Sequence, residues 1–203
     1  MQIFTMDIEQ DMAAALAFAG LLSRYSLTGE FYITGDMLRK YPAAVRALAK
    51  RHIIGGHGYH HERFAELSAS QQQAVVEKTV ALFKLHRIPI KGWRFPYLSF
   101  TAESLVIIAG QGLFDSSLHR RRILGPFYYK KGIHLLPKHL REMPWSATDL
   151  QDTLFYQKEG RLLTHCYQFS HFRAALESYL AMRTSESSSA AIPSVSRSSA
   201  RSP

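Results

Sequence analysis

The sequence predicts an α/β fold built on a mainly parallel sheet. Short runs of strand character alternate along the chain with longer stretches of helical periodicity, the pattern of repeated βα units. The run "GEFYITG" (29–35) is bracketed by glycines and mostly apolar, as a strand covered on both faces is. Residues with ligating or acid–base chemistry fall just after the predicted strands, and in parallel α/β folds chemistry collects at the C-terminal strand ends.

Taken in order, "QIFTMDI" alternates and is rich in β formers, so it predicts the first strand. Residues 11–25 are rich in Ala and Leu and predict a helix with Asp11 as its N-cap. The strand at 29–35 follows, then helical sequence over 36–51 with Pro42 opening its second part. "HIIGGHG" is a strand ending at a Gly-rich turn. Residues 68–87 open on a serine and have helical periodicity. "IKGWRFPY" (90–97) is a strand running into a loop, and 101–112 is a helix followed by "LFDSSL". The region 120–145 shows weak periodicity. "RLLTHCYQF" (161–169) is a late strand and 172–183 a closing helix. From Ser185 the chain is Ser-rich and nearly free of large apolar residues, which predicts a disordered tail at 185–203 behind a single domain at 1–184.

A chain of 203 residues with 46% hydrophobic and 20% charged residues can bury a real core. Its single cysteine, Cys166, excludes an internal disulfide and a four-cysteine zinc site. The start "MQIFTMDIEQD" carries neither a basic n-region nor an apolar h-region, so the expected location is cytoplasmic. No apolar run approaches the ~20 residues of a membrane span. The net charge of +9 is scattered, which favours a solvated basic surface over a nucleic-acid interface and leaves room for an anionic substrate or membrane surface.

The strand ends deliver the chemistry. "GGHGYHHERF" places His57 and His61 four apart, a spacing that brings two imidazoles to one side of a helical or turn-like segment, with His60 pointing elsewhere into solvent. The "HE" at 61–62 is no zincin motif, because Ala65 stands where the second histidine belongs. On the first strand Asp7 and Glu9 are two apart and so face one cleft, while Asp11 is best read as a helix cap. Two histidine nitrogens and one carboxylate oxygen make an open metal site, and zinc lowers the pKa of bound water to about 7. In "RFPY", Arg94 can keep a carboxylate ionised and aimed, and the Tyr97 backbone N–H can face a developing oxyanion. His165, at the end of the late strand, suits general acid work, whereas strand alternation turns Cys166 away from it as a core thiol.

In this order the motifs resemble the polysaccharide deacetylase family, the NodB-homology domains of carbohydrate esterase family 4. "FTMDIEQD" resembles the first motif in its TFDVE-x-D variant, "GGHGYHHE" the H-x-x-x-H metal motif, and "GWRFPY" the R-x-P-Y motif. "GLFDSSL" resembles GF-x-YDSSL, "REMPWSATD" the E-x-P-x-S-x-x-D segment, and "LLTHCYQ" the L-x-H motif. The likeness runs from about residue 2 to 182.

The resemblance implies a distorted (β/α) barrel with fewer than eight strands, and a hydrolase that removes an acetyl group from an N-acetylated sugar with a divalent metal, zinc being the expected one. It assigns Asp7 as catalytic base, His57 and His61 as ligands, Arg94 as the residue that orients Asp7, the Tyr97 N–H as oxyanion donor, His165 as general acid and Asp149 as a residue tuning His165. Trp93 and Pro96 would meet the substrate. The family's second aspartate is replaced by Ile8, so the third ligand is Glu9 or, as the lesser candidate, Asp11. A polysaccharide or a lipid- or nucleotide-linked saccharide is the expected substrate, and its phosphate in the linked cases suits the basic surface. The alternatives are a ureide or cyclic-amide hydrolase on the same fold, and a catalytically impaired binding protein.

Overall fold

The computed structural model describes residues 2–117, 160–165 and 169–189. Among the described residues its centre is a six-stranded sheet in the order β5-β4-β3-β2-β1-β6, with every adjacent pair parallel. The strands are β1 (Gln2–Ile8), β2 (Glu30–Ile33), β3 (Ile53–Gly56), β4 (Gly92–Trp93), β5 (Phe114–Asp115) and β6 (Gly160–His165). The helices are α1 (Met12–Arg24), α2 (Gly35–Lys40), α3 (Pro42–Leu48), α4 (Ala69–Leu85), α5 (Ala102–Gly110) and α6 (Phe169–Ser189). This is a distorted (β/α) barrel with fewer than the eight strands of a regular one.

Local sequence explains most boundaries. Asp11 caps α1 by accepting from the Ala14 N–H at 2.9 Å. Thr34, Ser68 and Thr101 cap α2, α4 and α5, the last two within capping boxes closed by Gln71 and Ser104. The helical stretch expected over 36–51 is two helices rather than one, because Pro42 occupies the first turn of α3 and cannot donate into α2. The closing helix extends beyond its expected limits and runs through Ser189, past the domain boundary read at 184; residues 190–203 lie outside the described residues.

Period-2 alternation divides β1 between two environments. Phe4, Met6 and Ile8 join an apolar core with Phe31, Ile33 and Ile54 from the neighbouring strands, and with Phe18 and Leu22 of α1 and Leu176 and Leu180 of α6. Phe18 sits edge-on to Phe31 and Phe169, with ring centroids 5.8 and 5.5 Å apart, and so pins α1 to β2 and α6. Thr5 and Asp7, the alternate residues, register beside Glu30 and Tyr32 of β2. A second core of Phe64, Val76, Trp93, Phe95, Leu105 and Ile108 packs α4 and α5 near the β4 end.

Candidate active site

The site begins at the C-terminal ends of β1, β3 and β4. Asp7 and Arg94 are fully enclosed, and Arg94 Nη1 lies 2.7 Å from Asp7 Oδ1. The guanidinium is satisfied on all sides: Nη1 also donates to Thr5 Oγ1 at 2.9 Å, Nη2 to Ser116 Oγ at 2.7 Å and Nε to the Ser116 carbonyl at 2.9 Å. Burial opposes its charge, but Asp7, with Tyr32 and Glu30 nearby, outweighs that and holds the Arg94 pKa above its ordinary value. Tyr32 lies under the guanidinium, 4.0 Å from Cζ to ring centroid, and donates its hydroxyl to Glu30 at 2.8 Å. That ring needs Gly55 beside it, since a Cβ there would come within 2.5 Å of Tyr32 Cδ1.

His57 is fixed by the backbone of the same arginine. Its Nδ1 lies 2.8 Å from the Arg94 carbonyl oxygen, which can only accept, so Nδ1 carries the hydrogen and the neutral ring keeps its lone pair at Nε2. Nε2 is buried, has no hydrogen-bond partner among the described residues, and stands 3.8 Å from Asp7 Oδ2. A histidine whose second nitrogen is tied to a carbonyl while the first faces other donors is the arrangement metal sites use.

The loop after β3 then returns to supply His61. Gly35 and Asp36, at the start of α2, donate their N–H groups to the carbonyls of Gly58 and Tyr59. The Glu62 carboxylate closes the turn by accepting from the N–H groups of Tyr59 and His60, both at 2.9 Å. Gly58 has φ +74, and a Cβ there would meet Glu62 Oε2 at 2.6 Å. His61 itself takes φ 64, which turns its ring back over His57 with centroids 5.0 Å apart. Gln72 of α4 steadies the next residues by donating to the carbonyls of Phe64 and Leu67.

Glu9, His57 and His61 each offer one ligand atom, and these atoms lie within 4.8 Å of one another. The donor set of two imidazoles and one carboxylate, with a buried Nε2 lone pair among them, fits a divalent metal. Of the two acids considered for the third position, Glu9 lies in this cluster, while the Asp11 side chain caps α1. Ile8 is buried in the apolar core, facing the helices. His165 registers directly beside Asp7 across the β1–β6 pair. Asp149 and Cys166 lie outside the described residues.

Trp93, expected to meet the substrate, packs fully buried against Phe64 and Phe95, and Pro96 is buried too. His60 points away from the cluster, as its position suggested, but it is paired: Nδ1 is 2.7 Å from Asp36 Oδ2. Sequence reasoning also missed Ser116 and Ser117. They support Arg94 and the Phe95 N–H, and the signal for them was the "GLFDSSL" motif, to which no role was given.

The sequence profile described as Polysaccharide deacetylase matches residues 5–113, more than half of the chain. The chain belongs to the polysaccharide deacetylase family. Asp7, Glu9, His57, His61, Arg94 and Tyr97 all fall within the matched span.

Solved structures carry the same fold. One is a family 4 carbohydrate esterase pseudoenzyme from Bacillus anthracis, with TM-score 0.68 and 13% identity, covering 92% of this chain and 61% of that one. Another is a family 4 carbohydrate esterase from Streptomyces lividans in complex with acetate, with TM-score 0.64 and 15% identity, covering 89% and 87%. A third is a peptidoglycan N-acetylglucosamine deacetylase in complex with a naphthalenyl N-oxidanyl-benzamide, with TM-score 0.63 and 18% identity, covering 92% and 82%. At these identities the likeness is one of fold, and this polysaccharide deacetylase chain spans less than two thirds of the pseudoenzyme's length. No curated protein matches the sequence.

Proposed function

We propose that this chain is a metal-dependent deacetylase that hydrolyses the N-acetyl group of a saccharide. The observation that carries the proposal is the Glu9–His57–His61 donor cluster lying against a carboxylate, Asp7, that Arg94 holds at 2.7 Å. A divalent ion held by these three residues, zinc by the character of the donors, supplies Lewis acidity to an amide carbonyl and to water. Asp7 then takes the proton of the attacking water through Oδ2, the oxygen on the His57 side, while Oδ1 stays bonded to Arg94. The Tyr97 N–H donates to the oxyanion that forms from the acetyl carbonyl, and His165 protonates the departing amine. Asp149 tunes His165 in this reading. The substrate is a polysaccharide or a lipid- or nucleotide-linked saccharide.

Metal content and turnover test the proposal together. Purified protein should hold near-stoichiometric zinc or a similar ion, and a His57→Ala/His61→Ala variant should lose it. Wild-type protein should release acetate from N-acetylated oligosaccharides and not act on ureides or cyclic amides. Metal retention with no turnover of any amide would favour a saccharide-binding protein, a reading that similarity to a pseudoenzyme supports.

A further inference from the structure

A row of planar groups climbs from the metal-binding cluster to solvent. The rings of His57 and His61 are 5.0 Å apart at their centroids, and those of His61 and Tyr97 are 4.5 Å apart. His57 is buried, whereas Tyr97 is 52% exposed. The guanidinium of Arg63 caps the outer end, with Cζ 3.9 Å from the Tyr97 ring centroid.

Two features mark this row, the first shared elsewhere among the described residues by Ser26 and Arg87. His61, Tyr97 and Leu98 take φ values of 64, 55 and 52, a left-handed backbone that non-glycine residues seldom adopt. Such conformations persist only where the surrounding structure enforces them, and they concentrate at binding sites. Arg63 is exposed and pairs with no carboxylate among the described residues. The nearest acid in sequence, Glu62, is already engaged by the Tyr59 and His60 N–H groups.

We infer that Arg63, seated on Tyr97, is a specificity-determining residue that recognises an anionic substituent, a phosphate or a carboxylate, on the acetylated saccharide. The inference rests on the deacetylase reading above. The exposed Tyr97 ring adjoins His61 of the cluster, within reach of a saccharide whose N-acetyl group sits there, and Arg63 stands over it paired with no acid among the described residues. A guanidinium fork matches the oxygens of a carboxylate or phosphate and gains charge-assisted hydrogen bonds that a neutral sugar does not offer. The aromatic face beneath it orients the cation before the ligand arrives. The chain's net charge of +9 draws anions toward the surface.

The test compares kcat and KM of the full chain on N-acetylated oligosaccharides of equal length that are neutral, carboxylate-bearing or phosphate-bearing. Wild-type protein should show a KM about tenfold lower for an anionic substrate, the scale of one charge-assisted contact. In Arg63→Gln the anionic-to-neutral KM ratio should rise to about one, with the loss in KM rather than kcat and the unfolding midpoint retained. Arg63→Lys should keep a preference for phosphate and lose most of that for carboxylate, because it retains charge but not the fork. The larger wild-type preference, phosphate or carboxylate, names the source of the anion. Equal KM values across the three substrates, or an anion preference that survives Arg63→Gln, would overturn the inference. If no substrate turns over, the deacetylase reading falls by itself. Calorimetric binding of the same saccharides then decides on Arg63: an anion preference lost in Arg63→Gln supports it, and no preference overturns it.

Discussion

The two faces of β1 show opposite solutions to burial. One face carries Phe4, Met6 and Ile8, which need only volume and neighbours of the right shape. The other carries Thr5 and Asp7, and each polar atom there must find a partner, because a buried charge without one is costly. The apolar face is anchored by several interchangeable contacts from two helices. The polar face depends on one guanidinium, bonded to residues from β1 and from the segment after β5. Redundancy therefore protects the fold, while the site has little of it.

The sharpest way to break this contrast is at Asp7. In Asp7→Asn the turnover per folded molecule should fall by about 10²–10⁴, the range for loss of a general base. The variant also removes the counter-charge of a fully buried arginine, so stability should fall by up to about 3–5 kcal/mol, read from urea unfolding. Retained turnover would remove Asp7 from the mechanism.

On the apolar face, Phe18→Ala should cost about 3–5 kcal/mol of stability, because it empties the space between α1, β2 and α6. Turnover per folded molecule should stay at the wild-type value. A drop in that value greater than the loss of folded protein would mean that the two faces are coupled.

A smaller effect is expected at His52, at the opposite end of the sheet from the site. Burial, with the neighbouring charge of Arg51, lowers its pKa below the ordinary 6.5. Its Nδ1 accepts from the Gly29 N–H at 3.1 Å, so the folded state holds the neutral ring. The unfolded chain binds the proton more readily. This contribution is therefore complete above about pH 6.5 and declines as pH falls toward the lowered folded value. The urea midpoint should drop between pH 8 and pH 5.5, and His52→Asn should flatten that part of the curve. An unchanged slope in the variant would assign the acid sensitivity elsewhere.

The same contrast separates what could be read in the sequence from what could not. The caps at Asp11, Ser68 and Thr101 and the alternation of β1 are local, so chain order displays them. Period 2 put Asp7 and Glu9 on one side, and the H-x-x-x-H spacing brought His57 to His61. These are distances along one segment; the rings of His57 and His61 do meet at 5.0 Å, and Glu9, just past the end of β1, lies with them. β5 escaped prediction because two residues are too few to show a period. The Glu30–Tyr32–Arg94 contacts escaped because they depend on lateral register between strands far apart in sequence. The packing of Trp93 was illegible for a related reason. An aromatic beside a functional motif reads the same whether it faces a ligand or, as here, Phe64.

Arg94, the residue directly after β4, ties two groups of the site to one point of the backbone. Arg94 fixes Asp7 with its side chain and His57 with its own carbonyl. A small displacement of the strand therefore carries the carboxylate and the imidazole in the same direction. A substitution that shifts the backbone at 94 disturbs the carboxylate and the imidazole together, so the two groups share one point of failure.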